Sequence, residues 1–241
     1  MIKLENTVLP SADQWKAIIF GARNPLNSWD KSDSGICYTG LRPECSCCED
    51  NQTDRCVNGH VIGLKDYDLM KRLAKAGTDH RKFMRMITVY VDITAPLYWW
   101  KEFDTYKVGT VTNSCSTMHN IADKVFTLDD FSHEHLDHLS IELLNDVICK
   151  LNANRNEYLE YEHGDDSINT KKDFWWQMIQ LLPSSYNQRR TVMLNYEVLA
   201  NMYRSRKNHK LDEWHTFCDW VKTLPYSELI TGEFDEKENK K

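Results

Sequence analysis

The sequence predicts an α+β fold, a small antiparallel or mixed sheet flanked by helices, and three observations support it. Most ordered segments carry apolar residues at three- and four-residue steps, which is typical of amphipathic helices. Residues 83–93 carry Ile, Val and Tyr in a pattern typical of a strand, and Ala95-Pro96 then places a proline at the start of a helix. The 241 residues are 41% hydrophobic and 11% aromatic, which is enough apolar surface to build a core.

The elements follow from caps, breakers and periodicity. A first helix is predicted after Ser11, a suitable cap, and ends before Asn24-Pro25. A second runs from Lys65 to Gly77, and a third follows the strand over residues 97–106. The remaining helices are predicted over residues 133–161, 173–182, 191–206 and 211–224.

The chain shows no internal repeat and no long linker, so a single domain over residues 1–241 is expected. Residues 31–62 are rich in Gly, Ser, Asp and Cys without a sustained period, which predicts an irregular Cys-rich insertion. Residues 233–241 are predicted to be a frayed, charged tail.

Charge and hydropathy exclude several classes of protein. The formal net charge of -6, with both signs spread along the chain, disfavours a polynucleotide partner, since such binding needs a basic surface. No apolar run approaches the roughly 20 residues that cross a bilayer, and the N-terminal residues do not resemble a signal peptide. The sequence therefore predicts a cytoplasmic protein without a membrane partner.

The insertion contains two short pairs of potential metal ligands. Cys45-x-x-Cys48 and Cys56-x-x-x-His60 offer thiolate and imidazole groups at spacings that suit tetrahedral zinc. In a reducing compartment these cysteines are expected to be thiols or metal ligands rather than disulfides. The sequence leaves open whether they form a structural zinc site or lie in a disordered insertion with reduced thiols.

The segment after the predicted strand is dense in polar and aromatic residues. Glu102 and Tyr106 follow the Trp99-Trp100 pair, and a run of hydroxyl and amide side chains follows Gly109. Such short polar groups beside a glycine can hydrogen-bond the heteroatoms of a ligand. An ordinary helix end with a polar turn would look the same.

A resemblance to a known family lies in this same segment. From Ile93 the chain reads Ile-Thr-Ala-Pro, then Glu102, then Thr105-Tyr106-Lys107 and a polar run. This is similar to the flavin-dependent thymidylate synthases, the thymidylate synthase complementing proteins, which have Ile-x-Ala-Pro, a Gln, and Arg-His-Arg-x-x-Ser-x-Asn-Glu-x-Ser-x-Arg-Tyr. Without gaps, Glu102 takes the Gln place and residues 105–107 the Arg-His-Arg place. The rest aligns Thr110 with the first Ser, Thr112-Asn113 with Asn-Glu, Cys115 with the second Ser and Thr117-Met118 with Arg-Tyr.

Two further blocks resemble the same family in the same order. Upstream, a helix ending at Gly77 precedes Asp79-His80, where the family has Glu-His before its strand. Downstream, Leu182-Pro183 is followed at the family's spacing by Asn195, Asn201 and Arg206, which resembles Leu-Pro, then Asn-x-Arg-x-Leu-x-His/Asn-Phe-x-x-x-Arg.

The resemblance implies an activity and its ligands. The family makes dTMP by reductive methylation of dUMP, as a methyltransferase with FAD, NADPH and methylenetetrahydrofolate. It also implies a homotetramer and a pyrimidine nucleotide ligand. The implied cofactor-binding residues are His80, Thr105, Tyr106, Lys107, Asn195 and Asn201. The implied substrate-binding residues are Glu102, Thr110, Asn113, Cys115, Thr117 and Arg206.

The chain departs from the family mainly in its arginines. Thr105, Lys107, Glu197 and Thr117 stand where the family has arginines that hold flavin or nucleotide phosphate. Neither Lys nor Thr offers the bidentate fork of a guanidinium, so anion binding is expected to weaken unless it is replaced, for example by Arg189 and Arg190. Two functions stay open: a divergent enzyme, and a non-catalytic nucleotide-binding or assembly protein on the same scaffold.

Overall fold

The computed structural model describes residues 2–36, 56–161 and 170–234. The strands are β1 (Lys3–Val8), β2 (Gly35–Ile36), β3 (Cys56–Val57), β4 (His60–Val61), β5 (Thr88–Pro96), β6 (Val111–Ser114) and β7 (Asn187–Asn195). The helices are α1 (Ala12–Arg23), α2 (Leu64–Lys75), α3 (Leu97–Phe103), α4 (Thr117–Asn120), α5 (His138–Glu160), α6 (Lys171–Leu181), α7 (Tyr196–Arg206), α8 (Asp212–Thr223) and α9 (Glu228–Thr231). Short 3-10 turns cover Asn24–Leu26, Trp29–Lys31, Arg81–Arg85 and Leu128–Asp130.

Two sheets are present among these elements. The larger has four strands in the order β1-β5-β7-β6, and the smaller has three in the order β2-β4-β3. The smaller sheet is antiparallel, and its β3–β4 hairpin turns through Asn58 and Gly59, which both have positive φ. An Asn-Gly pair favours this two-residue turn. The α+β class predicted from sequence is confirmed.

The chain forms two compact units. The first comprises Met1–Lys3, Ile93–Thr105 and Asn113–Thr191, and the second Leu4–Asp92, Tyr106–Thr112 and Val192–Lys241. Hereafter they are called the first unit and the second unit. The expectation of a single domain stays a prediction.

The core of the first unit lies around helices α5 and α6. Leu144, Ile148 and Leu151, spaced by three and four residues along α5, are buried with Met178 of α6 and Phe131. The helix begins at its cap Asp137, whose side chain accepts a hydrogen bond from the Ser140 backbone N–H. Residues 133–137, predicted to be helical, precede this helix.

In the second unit, α7 packs against α8 and α9, and α1 packs against α2. The fully buried aromatic residues Trp15, Tyr196, Trp214 and Phe217 lie in this core. Ser11 caps α1 as predicted, in a capping box with Gln14.

Three expectations from the sequence need correction, two on boundaries and one on a loop. Residues 83–87 belong to a 3-10 turn and its end, so the predicted strand begins later, at Thr88. Residues 191–195 were predicted to start a helix but end strand β7, and the helix begins only at Tyr196, after its cap Asn195. The polar loop after α3 contains strand β6 and helix α4, which the sequence did not predict.

The ends of the Cys-rich stretch at residues 31–62 are ordered, because β2, β3 and β4 form the three-stranded sheet there. This corrects the expectation of a wholly irregular insertion at its two ends, and residues 37–55 lie outside the described residues. Most of the predicted frayed tail, residues 235–241, also lies outside them. None of the described helices is long and apolar enough to cross a membrane.

Candidate functional site

Arg206 lies in an aromatic setting at the end of α7. Its Nε donates a hydrogen bond of 2.9 Å to the Tyr106 hydroxyl. Its guanidinium carbon lies 4.8 Å from the centroid of the Trp214 ring and 5.5 Å from that of Tyr106. Stacking on two rings and a directed hydrogen bond restrict the guanidinium to one orientation. The sequence predicted roles for Tyr106 and Arg206 but did not indicate that they contact each other, nor that Trp214 supports them.

Asn195 and Gly109 meet beside this group in the second unit. Asn195 Oδ1 accepts a hydrogen bond from the Val198 N–H and so caps α7, while Nδ2 lies 3.4 Å from the Gly109 carbonyl oxygen. Gly109 has a φ of +87°, and a Cβ there would lie 2.8 Å from Asn195 Nδ2. The glycine therefore permits both the backbone conformation and the close approach. Thr110 donates from Oγ1 to the Tyr106 carbonyl at 2.5 Å and stabilises the same turn.

The other predicted cofactor residues of the second unit lie on its surface. His80, Lys107 and Asn201 are exposed. Asn201 accepts a hydrogen bond of 3.1 Å from Arg204 one turn further along α7. These side chains are accessible to a ligand.

Glu197 has a cationic neighbour. It stands at a position where the family that the sequence resembles has an arginine. Its Oε2 lies 2.8 Å from Arg81 Nε, and both side chains are largely buried, at 9% and 14% exposure. The sequence did not indicate this pair. The charge reversal at Glu197 is thus compensated locally by Arg81.

In the first unit, Gln188 holds two of the predicted substrate residues together. Its Nε2 donates to Thr117 Oγ1 at 2.9 Å and to the Cys115 carbonyl at 3.3 Å. The Cys115 N–H donates to the Arg189 carbonyl, so the backbone around Cys115 is fixed although this residue is exposed. Gln188 was not predicted from sequence, and no local pattern distinguishes it there.

Arg190 does not fill the role that the sequence suggested for it. Its Nη1 donates to Asp104 at 2.8 Å, and its Nε donates to Gln188 Oε1 at 2.9 Å. Its guanidinium also stacks on Trp100, 4.1 Å from the ring centroid. These contacts make Arg190 a structural residue of the first unit, because its fork is already engaged.

The remaining predicted residues of the first unit occupy the helix end and the edge strand. Thr105 donates from Oγ1 to the Glu102 carbonyl at 2.7 Å at the end of α3. Glu102 is half-buried, and Asn113 is exposed on β6.

The zinc ligands proposed from sequence are only partly within the described residues. Cys45 and Cys48 lie outside them. In the hairpin, Cys56 pairs with Val61 and Val57 pairs with His60, so alternation along the strands directs Cys56 and His60 to opposite faces of the small sheet. His60 is buried, and burial lowers the pKa of its imidazole. The described residues contain no cluster of metal-binding side chains, and the zinc site stays a prediction.

The class of fold is that of the flavin-dependent thymidylate synthases, because solved structures of this kind match nearly the whole chain. Among solved structures, the chain is similar to flavin-dependent thymidylate synthase ThyX from Helicobacter pylori complexed with FAD and dUMP. The TM-score is 0.59 at 15% identity, over 97% of this chain and 99% of that chain. It is also similar to the UMP/dUMP methylase PolB from Streptomyces cacaoi bound with 5-Br dUMP. Here the TM-score is 0.53 at 11% identity, over 96% of this chain and 94% of that chain.

No family model matches the chain, and no curated protein sequence matches it either. The likeness therefore rests on structure, and it establishes the shared fold.

Proposed function

We propose that the protein is a divergent flavin-dependent thymidylate synthase-like methyltransferase that reductively methylates a dUMP-like pyrimidine nucleotide, a step of dTMP biosynthesis. The observation that carries the proposal is the orientation of Arg206 by Tyr106 and Trp214. Arg206 aligns with the family's substrate arginine, and both structural neighbours described above are complexes with a pyrimidine nucleotide.

Arg206 suits the task of binding such a nucleotide. A guanidinium presents several N–H donors in one plane, and these match the paired oxygens of a phosphate or the carbonyl edge of a pyrimidine. Holding that plane before the ligand arrives reduces the entropy lost on binding. Tyr106 and Trp214 thus act by positioning Arg206.

The second unit also offers groups that fit a flavin nucleotide. His80, Lys107 and Asn201 present polar, accessible side chains. When bound, FAD would pass a hydride from NADPH to the one-carbon group donated by methylenetetrahydrofolate. The protein's own residues need only bind and orient the reactants and exclude water.

The direct test is spectroscopic. We expect the purified protein to carry or take up FAD, with visible flavin absorption, and dUMP to raise its melting temperature. Arg206→Ala should abolish the dUMP shift, whereas Arg85→Ala, at an exposed position in the same unit, should keep it. Protein that takes up no flavin and shows no shift with any pyrimidine nucleotide would contradict the proposal.

A second function, non-catalytic nucleotide binding or assembly on this scaffold, is favoured by one observation. Glu197 and Arg81 neutralise each other where the family has an arginine, so a positive charge for the cofactor is lost there. Growth of a thymidine-requiring bacterial strain expressing this chain separates the two functions. Rescue that depends on Arg206 supports the enzyme, and binding of dUMP without rescue supports the second function.

A further inference from the structure

A second concave site lies in the second unit, among α2, α7 and α9. This α7–α9 pocket has a volume of about 280 Å³. Apolar side chains such as Ala200 and Leu229 line it, together with four cationic residues, namely Lys75, Arg81, Arg204 and Lys207. None of the residues implied by the family resemblance lines it.

Three of these cations have no carboxylate partner among the described residues. Lys75 lies over the Phe234 ring, 4.4 Å from its centroid, and Lys207 lies 5.8 Å from the centroid of Tyr203. Arg204 donates only to a neutral amide, that of Asn201. The fourth, Arg81, is paired with Glu197.

One carboxylate, that of Glu233, lies beside the pocket, because its partner Tyr203 is a lining residue. Glu233 Oε1 accepts a hydrogen bond of 3.2 Å from the Tyr203 hydroxyl. Like charges around one concave volume repel each other. An anion placed among them would remove this repulsion.

We propose that the α7–α9 pocket binds a phosphate-bearing small molecule, with Lys75, Arg204 and Lys207 contacting its anionic oxygens. Phosphate oxygens accept several charge-assisted hydrogen bonds, and ammonium and guanidinium groups are their usual protein donors. The volume suits a phosphate or diphosphate group with a small attached moiety rather than a whole dinucleotide. The proposal uses different residues from Arg206 and does not depend on the function proposed above.

The test uses the full chain and inorganic pyrophosphate as the probe in isothermal titration calorimetry. We expect saturable binding that weakens with added salt. The double variant Arg204→Gln, Lys207→Gln should lose at least about tenfold in affinity, since two charge-assisted bonds are removed. The matched control Lys150→Gln, Lys172→Gln changes two exposed cations of the first unit and should bind as the wild type does.

Two further measurements keep the outcomes distinct. Both double variants should melt at the wild-type temperature, because all four side chains are exposed. The single variant Lys75→Gln changes another cation of the pocket and should also weaken pyrophosphate binding. If FAD displaces pyrophosphate, the ligand is the diphosphate of the cofactor; if it does not, the ligand is a separate phosphorylated molecule. Absence of pyrophosphate binding, or equal binding by the pocket variants, would overturn the proposal, whereas loss of the dUMP shift in Arg206→Ala concerns only the nucleotide site.

Discussion

At the scale of single residues, Gly109 lies in the turn after Tyr106 and is in close contact with Asn195. A side chain at this position would be unfavourable for two reasons. The backbone has a left-handed φ of +87°, and a Cβ would lie only 2.8 Å from Asn195 Nδ2. Gly77 has a similar φ of +99°, and a Cβ there would meet no atom within 4 Å, so only the first reason applies to it. The pair therefore separates conformational strain from steric contact.

We expect Gly109→Ala to lower the free energy of unfolding by more than Gly77→Ala does. The left-handed conformation costs an alanine about 1 kcal/mol in both variants, and displacement of the Asn195 cap adds about 1 kcal/mol at Gly109 only. Urea denaturation measures both differences. Equal losses in the two variants would show that Asn195 moves aside without cost.

In the proposed function Tyr106 positions Arg206, so its hydroxyl should matter less for dUMP binding than the guanidinium itself. Tyr106→Phe removes the hydrogen bond to Arg206 Nε but keeps the ring beside it. We expect the affinity for dUMP to fall by a factor of about 3 to 10, corresponding to one hydrogen bond of roughly 1 kcal/mol. Calorimetric titration checks this, with the exposed Tyr90→Phe as the control. An unchanged affinity would mean that stacking on Trp214 alone orients Arg206.

The sequence selected candidate residues for the site but did not indicate how they meet. Tyr106 and Arg206 were selected by separate motifs, but their hydrogen bond joins positions far apart in the chain. Trp214 and Gln188 carry no local signature, because their contribution is packing or a long-range hydrogen bond. The sequence suggests that Arg190 is available to bind an anion, because it does not show that Asp104 and Trp100 contact its guanidinium.

At the scale of elements, one buried carboxylate joins α2 to the end of α1 and to the start of the Cys-rich stretch. Asp66 is 1% exposed and accepts hydrogen bonds from Arg23 Nε and from the hydroxyls of Ser32, at 2.7 Å, and Ser34, at 2.6 Å. Burial raises the pKa of Asp66, but the bonds from Ser34, Ser32 and Arg23 outweigh burial, and the net pKa is lowered from 3.8. The ionised form is therefore the one that the fold stabilises.

This predicts a specific pH dependence. Because the folded-state pKa lies below 3.8, the Asp66 carboxylate stabilises the fold fully above that value, and the contribution is lost as pH falls through the folded pKa. Asp66→Asn should lower the free energy of unfolding by about 3 kcal/mol at neutral pH, since the buried Arg23 loses its partner, and the deficit should shrink in acid. Denaturation at pH 7 and near pH 3 measures both.

The control for this prediction is Asp68→Asn on the same helix. Asp68 pairs with Lys71 at the surface, where an ion pair contributes less than about 1 kcal/mol. A deficit in Asp66→Asn no larger than that of the control, or one independent of pH, would contradict the assigned role.

Elements with strong local signals were predicted well, and those set by pairing were not. The capping box of Ser11 marks the start of α1, and the spacing of apolar residues marks α2 and α5 as helices. Both signals can be read directly from the sequence. Residues 191–195 continue an apolar pattern into α7, yet they pair as a strand, because the sheet overrides local propensity. β1 and β6 are mostly exposed strands, so neither has the alternation of a half-buried strand.

At the scale of the whole molecule, the first unit exposes apolar residues along one face of α5. Leu139 and Leu143, one helical turn apart, are 73% and 66% exposed, and Leu136 just before the helix is 40% exposed. Exposed apolar patches of this kind mark interaction surfaces. We propose that this face contributes to the homotetramer that the family resemblance implies.

Replacing two of these residues by charges should dissociate the assembly. The variant Leu139→Glu, Leu143→Glu is expected to sediment as a smaller species than the wild type at the same concentration, because burying two carboxylates in an apolar interface costs more than the contact gains. Both side chains are exposed in the isolated chain, so the variant should lose only the part of the melting temperature that assembly adds.

Leu159→Glu is the control: this residue is 51% exposed on the same helix but lies roughly 200° around its axis from Leu139. If the control dissociates the wild-type assembly equally, or if both variants sediment as the wild type does, this face of α5 is not the interface.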